Sequence, residues 1–394
     1  MDLRKHVDTD VQAPDALAIL VAVMLMDFGR TIWAVSAPGT WIVPILTSYV
    51  WIAAIGLVIV GLSTIDLKDH GTVIAAVVTG AVGAAVLIAM ISLYGQAVTT
   101  DVGRFLQRAT ALTVSEQNPY EHSLAVNETV FPTPTIDGGT VTRYSYPAGA
   151  VVAMLPQFAI GITDVRVTPT ILSLGIGVVI LASAENELAL FAPAALLAGD
   201  LVTWPLTGLA DSIWILPLCL AAYWWRERLV WSAVAYGFAA SVEQIPWFIG
   251  PFLLVWLLRD RGQEAATRWL ASALLTFFVV NLPFIIWSPR TWLTGALQPL
   301  FGSGSPPVHQ GVGLSALTVF GAFPIAKWVH TALLGIVAIV ALVIYYQRRQ
   351  LQWAAWIAWM PLLLLHYRSF PTYFVAGLPL VVIAFCERRA GYAT

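Results

Sequence analysis

Four carboxylates stand where an acidic side chain is costly to keep: Asp27, Asp101, Asp211 and Glu243, each within or beside a long apolar run. A carboxylate near a bilayer core is a functional hypothesis by default, and a desolvated one can exchange protons as a general base. Asp101 follows an apolar run and opens DVGRFLQRATALTV, so it is expected at a membrane boundary above the helix bundle. Its competing assignment is a charge offsetting the positive end of a helix. Asp211, in PLTGLADSIW, stands at the mouth of a later apolar run and competes with a plain N-cap before Ser212 and Ile213. Glu243, in SVEQIPW, marks another helix end on the same side. Asp27 and Arg30 share one run at i, i+3 and are expected to form a buried ion pair.

Other chemistry-bearing residues give less. The six His show no metal-ligand spacing, and His309 and His366 are expected as solvated loop residues near Arg290 and Arg368. Cys219 and Cys386 lie in apolar text without a CxxC pair, which points to inert packing. Asn127-Glu128-Thr129 fits a glycosylation acceptor, a pattern too short to carry weight alone. Walker, dinucleotide-glycine and Gly-x-Ser-x-Gly signatures are missing from the sequence.

The elements that must position these residues are membrane helices. Of 394 residues, 59% are hydrophobic and 11% charged, and mean hydropathy is +0.79. Soluble domains run at about 45–50% apolar and about 25% charged. A net charge of −2 without basic runs excludes a nucleic-acid partner. The chain reads as an all-α polytopic membrane protein with about 11–14 transmembrane helices, each needing roughly 20 apolar residues. Three long runs come first, at about 15–36, 41–63 and 72–95, and the first is expected to be an uncleaved span. Later runs are shorter and punctuated by Pro, and 186–210 is apolar enough to cross once or twice.

Basic residues collect on the cytoplasmic side of membrane proteins. Arg226/Arg228, Arg259/Arg261/Arg268, Arg348/Arg349 and Arg388/Arg389 are expected to share that side, joined by Arg4/Lys5, Lys68 and Arg166 if 186–210 crosses twice. Arg104, Arg108, Arg143, Arg290 and Arg368 then face outside, with Arg30 and Lys327 at membrane depth. The longest connection, 96–146, is outside, and loops beyond about 12–15 residues are usually functional or disordered. Val102, Phe105, Leu106, Ala109 and Leu112 recur at helical spacing there, which predicts an amphipathic interfacial helix. FPTPTIDGGTV predicts a small hairpin, and the second outer loop, 288–313, is expected as mobile cover.

Several segments together resemble one family. TTDVGRFLQRATALTVSEQNPYEHSL is similar to the first extracytoplasmic loop of GT-C superfamily glycosyltransferases, especially the family 87-like branch, with Asp101 opening the helix and Asn118-Pro119-Tyr120 following. FPTPTIDGGTVTRYSYPAG resembles the end of that loop, where Tyr146-Pro147 opens the next span. GLADSIW, SVEQIPWFIGPF, NLPFIIWSPRTWLTGALQPL and HYRSFPTYF resemble later segments, so the likeness covers roughly 72–386. Glu243 departs from it by standing where a Lys is expected, and Arg104 and Gln107 stand where relatives are more acidic.

The resemblance implies an inverting sugar transfer, at the extracytoplasmic face of the plasma membrane, from a polyprenyl-phosphate donor to a hydroxyl of a glycan, lipid or protein. Asp101 would be the general base and Asp211 would order the site. Arg368 and Arg290, then Arg143, would hold the phosphate, with Tyr120, Tyr146 and Glu243 among the substrate-binding residues. The donor is already activated, so no further cofactor is called for, and no ligand cluster argues for a metal. The implied organisation is a two-span extension over 1–71, a catalytic module over 72–258 with outer loop 96–146, and C-terminal helices over 259–394 with outer loop 288–313. A secondary transporter and a non-catalytic scaffold are the competing readings; the first would need internal repeats, and Glu243 in place of Lys favours the second.

Overall fold

The computed structural model describes residues 13–35, 42–63, 67–124, 132–184, 186–301, 307–321 and 323–392. The Asn127–Thr129 pattern and the Arg4/Lys5 pair lie outside the described residues. The protein is an all-α membrane protein. Among the described residues six stretches are long and apolar enough to cross a membrane: Asp15–Ala34, Ile42–Gly61, Asp69–Ser92, Gly262–Trp287, Lys327–Gln347 and Pro371–Arg388. Four shorter apolar helices join them. The named strands, β1 (Gln310–Gly311) and β2 (Arg368–Ser369), have two residues each and pair in parallel.

Helices α1 (Ala13–Val35), α2 (Ile42–Gly61) and α3 (Leu67–Ser92) run back and forth along the bundle. Gly61 packs on the Asp15 carbonyl, where an added Cβ would lie 3.0 Å away. Asp27 and Arg30 do pair at 2.8 Å, but their side chains are 61% and 74% exposed, not buried. Both project from the α1 surface, so the pair is not enclosed by the bundle.

After α3 the chain stays at one end. Here lie α4 (Asp101–Val114) and α5 (Gly149–Ala159), the latter 11 residues and about 16 Å long. Gly161, at φ +83°, then turns the chain back. Arg166 consequently sits at the Asp101 end, not with Arg226, Arg259 and Arg261: it is 2% exposed and donates to the carbonyls of Leu93, Gln96, Ala97 and Leu206. A 2.8 Å ion pair to Asp164 completes its shell.

Helix α6 (Val167–Ser183) returns to the opposite end, where Asn186 accepts a hydrogen bond from Thr72 near the start of α3. The uncertain stretch 186–210 then runs the length of the bundle once, in pieces. These are a 3-10 turn (Asn186–Leu188), α7 (Phe191–Leu197), a second turn at Ala198–Asp200 and α8 (Trp204–Thr207). The run ends where Thr99 N–H donates to the Thr207 carbonyl. Pro193, Pro205 and Gly199 at φ +60° break it, and such broken backbone is tolerated at membrane depth because protein surrounds it.

Helices α9 (Ser212–Tyr223) and α10 (Leu229–Val242) form a short antiparallel pair. Beyond them come α11 (Gly250–Asp260), α12 (Gly262–Trp287), α13 (Pro289–Phe301), α14 (Leu314–Val319), α15 (Lys327–Gln347), α16 (Trp359–Leu363), α17 (Pro371–Ala376) and α18 (Leu378–Tyr392). Of the expected basic set, Arg226, Arg259 and Arg261 share the end away from Asp101: Arg261 donates to the Arg226 carbonyl and Arg259 to that of Tyr345. Part of 288–313, expected as mobile cover, is instead the helix α13. It is anchored by buried Trp292 and Ala296, one turn apart, and by the Trp292 indole on Asn281. One hydrophobic core runs from Ala18 to Ala384, so the three sequence segments share it.

Candidate active site

A cavity of about 580 Å³ opens among α4, α9, α10, α17, β2 and the loop that ends at Tyr146. It falls within the usual 300–1,000 Å³ of small-molecule sites. Asp101, Asp211, Glu243, Tyr146 and Arg368 all line it, although they lie up to 267 residues apart (368 − 101).

Asp101 is the first residue of α4 and is 7% exposed. Thr100 caps that helix by accepting the Gly103 N–H, which leaves the Asp101 carboxylate for other partners. Oδ1 accepts the Val102 N–H at 2.8 Å and Oδ2 accepts the Thr133 N–H at 2.7 Å. Two backbone donors thus aim the carboxylate, and its remaining lone pairs border the cavity. The α4 end lies close to α8: a Cβ on Gly103 would come within 2.5 Å of the Gly208 carbonyl oxygen.

Asp211 precedes α9 but does not cap it with its side chain. Its Oδ1 accepts the Trp214 indole N–H at 3.1 Å. Glu243 ends α10 in extended backbone, and its Oε1 accepts the Gln244 N–H. Burial pushes the Glu243 carboxyl up to about 8, and the neighbouring Asp211 adds to the rise. Burial raises Asp211 as well. At neutral pH Glu243 is mostly a neutral acid and so a hydrogen-bond donor.

Arg368 lies in β2, its guanidinium 4.8 Å over the Phe370 ring. Its Nη1 is buried without a hydrogen-bond partner, and none of the ion pairs among the described residues involves it. Arg368 is half-buried, and a guanidinium nitrogen sealed from water without a partner is costly and suits an anion. Lys327 begins α15 beside it, donates to the Pro307 carbonyl and lies 4.3 Å over the Tyr367 ring. His366 is 6% exposed, not solvated, and burial pushes it down to about 4. His309 is half-buried and shifted down for the same reason.

The remaining expected site residues fall elsewhere. Tyr120 is buried behind the cavity wall, donating to the Tyr146 carbonyl at 2.7 Å with its ring edge-on to Tyr144. Arg290 and Arg143 are exposed and do not line the cavity. Arg290 lies off the Trp292–Ala296 face that anchors α13, and Arg143 is at a bend before buried Tyr144. Sequence reasoning missed Tyr144, Trp214, Gln310 and Tyr373, which line the cavity. The rings of Tyr144 and Tyr146 lie 5.8 Å apart, edge to face. Among the described residues no three His, Cys, Asp or Glu converge as metal ligands.

No protein-family model, curated protein or solved structure matches the chain.

Proposed function

We propose that the protein is a membrane glycosyltransferase of the GT-C type, similar to the family 87-like branch, using a polyprenyl-phosphate sugar at the extracytoplasmic face. The observation that carries this reading is the meeting of Asp101 and unpaired Arg368 on one cavity at one end of the bundle. The opposite end holds Arg226, Arg259 and Arg261, which supports reading it as the cytoplasmic end.

The chemistry balances with these two groups. An acceptor hydroxyl gives its proton to Asp101 as its oxygen forms the new bond to the anomeric carbon. The old bond from that carbon to the phosphate oxygen breaks, and the lipid phosphate leaves with the electron pair. Arg368 holds the departing negative charge. Attack opposite the leaving group inverts the anomeric centre. Asp211, fixed by Trp214, orders the wall beside Glu243.

The test is transfer of a radiolabelled hexose or pentose from a polyprenyl-phosphate donor by purified protein, with Asp101→Asn as control. Mass spectrometry of membrane lipids and glycans from a deletion strain identifies the missing sugar. A second reading, a secondary transporter, draws support from the broken run 186–207. Its carboxylates are expected near the midplane, whereas Asp101, Asp211 and Glu243 stand at helix ends.

A further inference from the structure

The end of the bundle away from Asp101 holds guanidiniums that the transfer reading leaves unused. Arg259, in the last turn of α11, is the most enclosed of them, its side chain 8% exposed. Its Nη1 donates to the Tyr345 carbonyl at 3.2 Å and so caps the last turn of α15, while its Nε meets Asp260 at 3.3 Å. Its Nη2 is sealed from water and has no hydrogen-bond partner among the described residues. Capping accounts for Nη1 and leaves Nη2 without an acceptor.

More positive charge lies beside it. Arg261 donates through Nη2 to the Arg226 carbonyl at 2.9 Å, and the Arg226 guanidinium lies 5.1 Å over the Trp353 ring. Trp353 belongs to the 3-10 segment Arg349–Ile357, and its ring is 5.0 Å from that of Trp256 in α11. Arg348 and Arg349 follow α15 directly. Three acids face the group. Asp260 already accepts from Arg259 and from the Trp256 indole, and Glu227 and Glu387 face Arg226. The bases outnumber these acids, and Arg226, Arg261, Arg348 and Arg349 join no ion pair among the described residues.

The surface that leads up to this charge is apolar. Of the six stretches long enough to cross a membrane, α15 is the least buried, at 11%. Ile336, Val340 and Val343 form an exposed stripe along it at i, i+4 and i+7, toward the end that Arg259 caps, and Leu258 of α11 is exposed as well. A soluble anion would leave that stripe uncovered, and a lipid without net charge would leave the guanidiniums uncompensated. We propose that Arg226, Arg259 and Arg261 bind the phosphate of an anionic phospholipid whose acyl chains lie along α15. Guanidiniums hold phosphate oxygens through paired N–H donors, and basic pockets among membrane helices are suited to anionic headgroups. None of the three lines the Asp101 cavity, so the site is independent of the transfer reaction.

Native mass spectrometry of the full chain in detergent tests this by separate titration with three probes. They are phosphatidylglycerol, phosphatidylcholine with the same acyl chains, and glycerol phosphate. Phosphatidylglycerol is expected to bind at least about tenfold more tightly than phosphatidylcholine, and glycerol phosphate is expected not to saturate. In the double variant Arg226→Gln, Arg261→Gln, both at exposed positions, the preference should shrink below about threefold with phosphatidylcholine binding unchanged. Equal binding of the two lipids in the wild type overturns the site, as does a preference that survives the double substitution. Glycerol phosphate binding as tightly as phosphatidylglycerol overturns the lipid assignment in favour of a soluble anion. If the double variant does not fold, cross-linking of the wild type with photoactivatable phosphatidylglycerol decides. Label is expected on 254–261 and 336–353, and label confined to other segments overturns the site.

Discussion

The Asp101 carboxylate accepts the backbone N–H of Thr133 at 2.7 Å, across 32 residues of chain. Thr133 belongs to the small turn at 132–141, where Thr135 N–H donates to the Gly139 carbonyl and Gly138 sits at φ +82°. A turn and a helix start thus clamp one carboxylate from two sides. A general base needs that orientation before its basicity matters.

Asp101→Asn keeps the shape and removes the charge. Transfer should fall by about 10²–10⁴-fold, the usual worth of a positioned base. Donor binding and the melting temperature should stay near wild type. A variant with full turnover in the lipid-donor assay would strip Asp101 of the base role.

Arg368→Ala removes the only guanidinium lining the cavity among the described residues. The donor KM should rise more than about tenfold, because losing a buried charge-assisted contact costs about 2–5 kcal/mol. Lys at the same position should restore part of the loss, since it keeps charge without the planar fork. Unchanged donor dependence would count against a phosphate role.

Glu243 links stability to pH. Its folded pKa is raised to about 8 from 4.5, so between those values the native state holds a proton that the unfolded chain releases. Stability is therefore greatest at the acid side and declines as pH climbs from 4.5 to about 8. Melting temperature in detergent should fall across this window and flatten above it. Glu243→Gln should lose most of that slope, and an identical slope in the variant would refute the assignment.

Arg166→Ala should destabilise by about 3–5 kcal/mol, the cost of stranding one partner of a buried pair. Asp164 would lose its ion-pair partner at 4% side-chain exposure, and the carbonyls of Leu93, Gln96 and Ala97 would lose the guanidinium donor. Those carbonyls end the segment that delivers Asp101, so transfer should drop along with the melting temperature. Intact thermal stability would show that the node is dispensable.

Tyr120→Phe deletes only the hydroxyl that holds the Tyr146 carbonyl, leaving the ring against Tyr144 and Phe284. The expected loss is about 1 kcal/mol of stability, with Tyr146 less firmly set on the cavity. A larger rise in donor KM than in unfolding would separate positioning from packing.

The sequence by itself determined the membrane class, the α4 helix and the candidate status of Asp101, Asp211 and Glu243. These follow from local quantities: apolar run length, 3.6-residue periodicity and the cost of a charge beside hydrocarbon. Tertiary structure decided which of them meet. Arg368 and Arg290 look alike in the chain, yet one lines the cavity and the other faces outward, because the turn after His366 and the buried Trp292 face orient them oppositely. Arg166 sits at the other end from the one expected because its partners there are carbonyls, which leave no mark in a sequence. Stretch 186–210 was ambiguous because broken helices satisfy their backbone through neighbours that a hydropathy reading does not see. Asp27 and Arg30 paired as their spacing predicted but stayed exposed, since burial belongs to the packing and not to the helix.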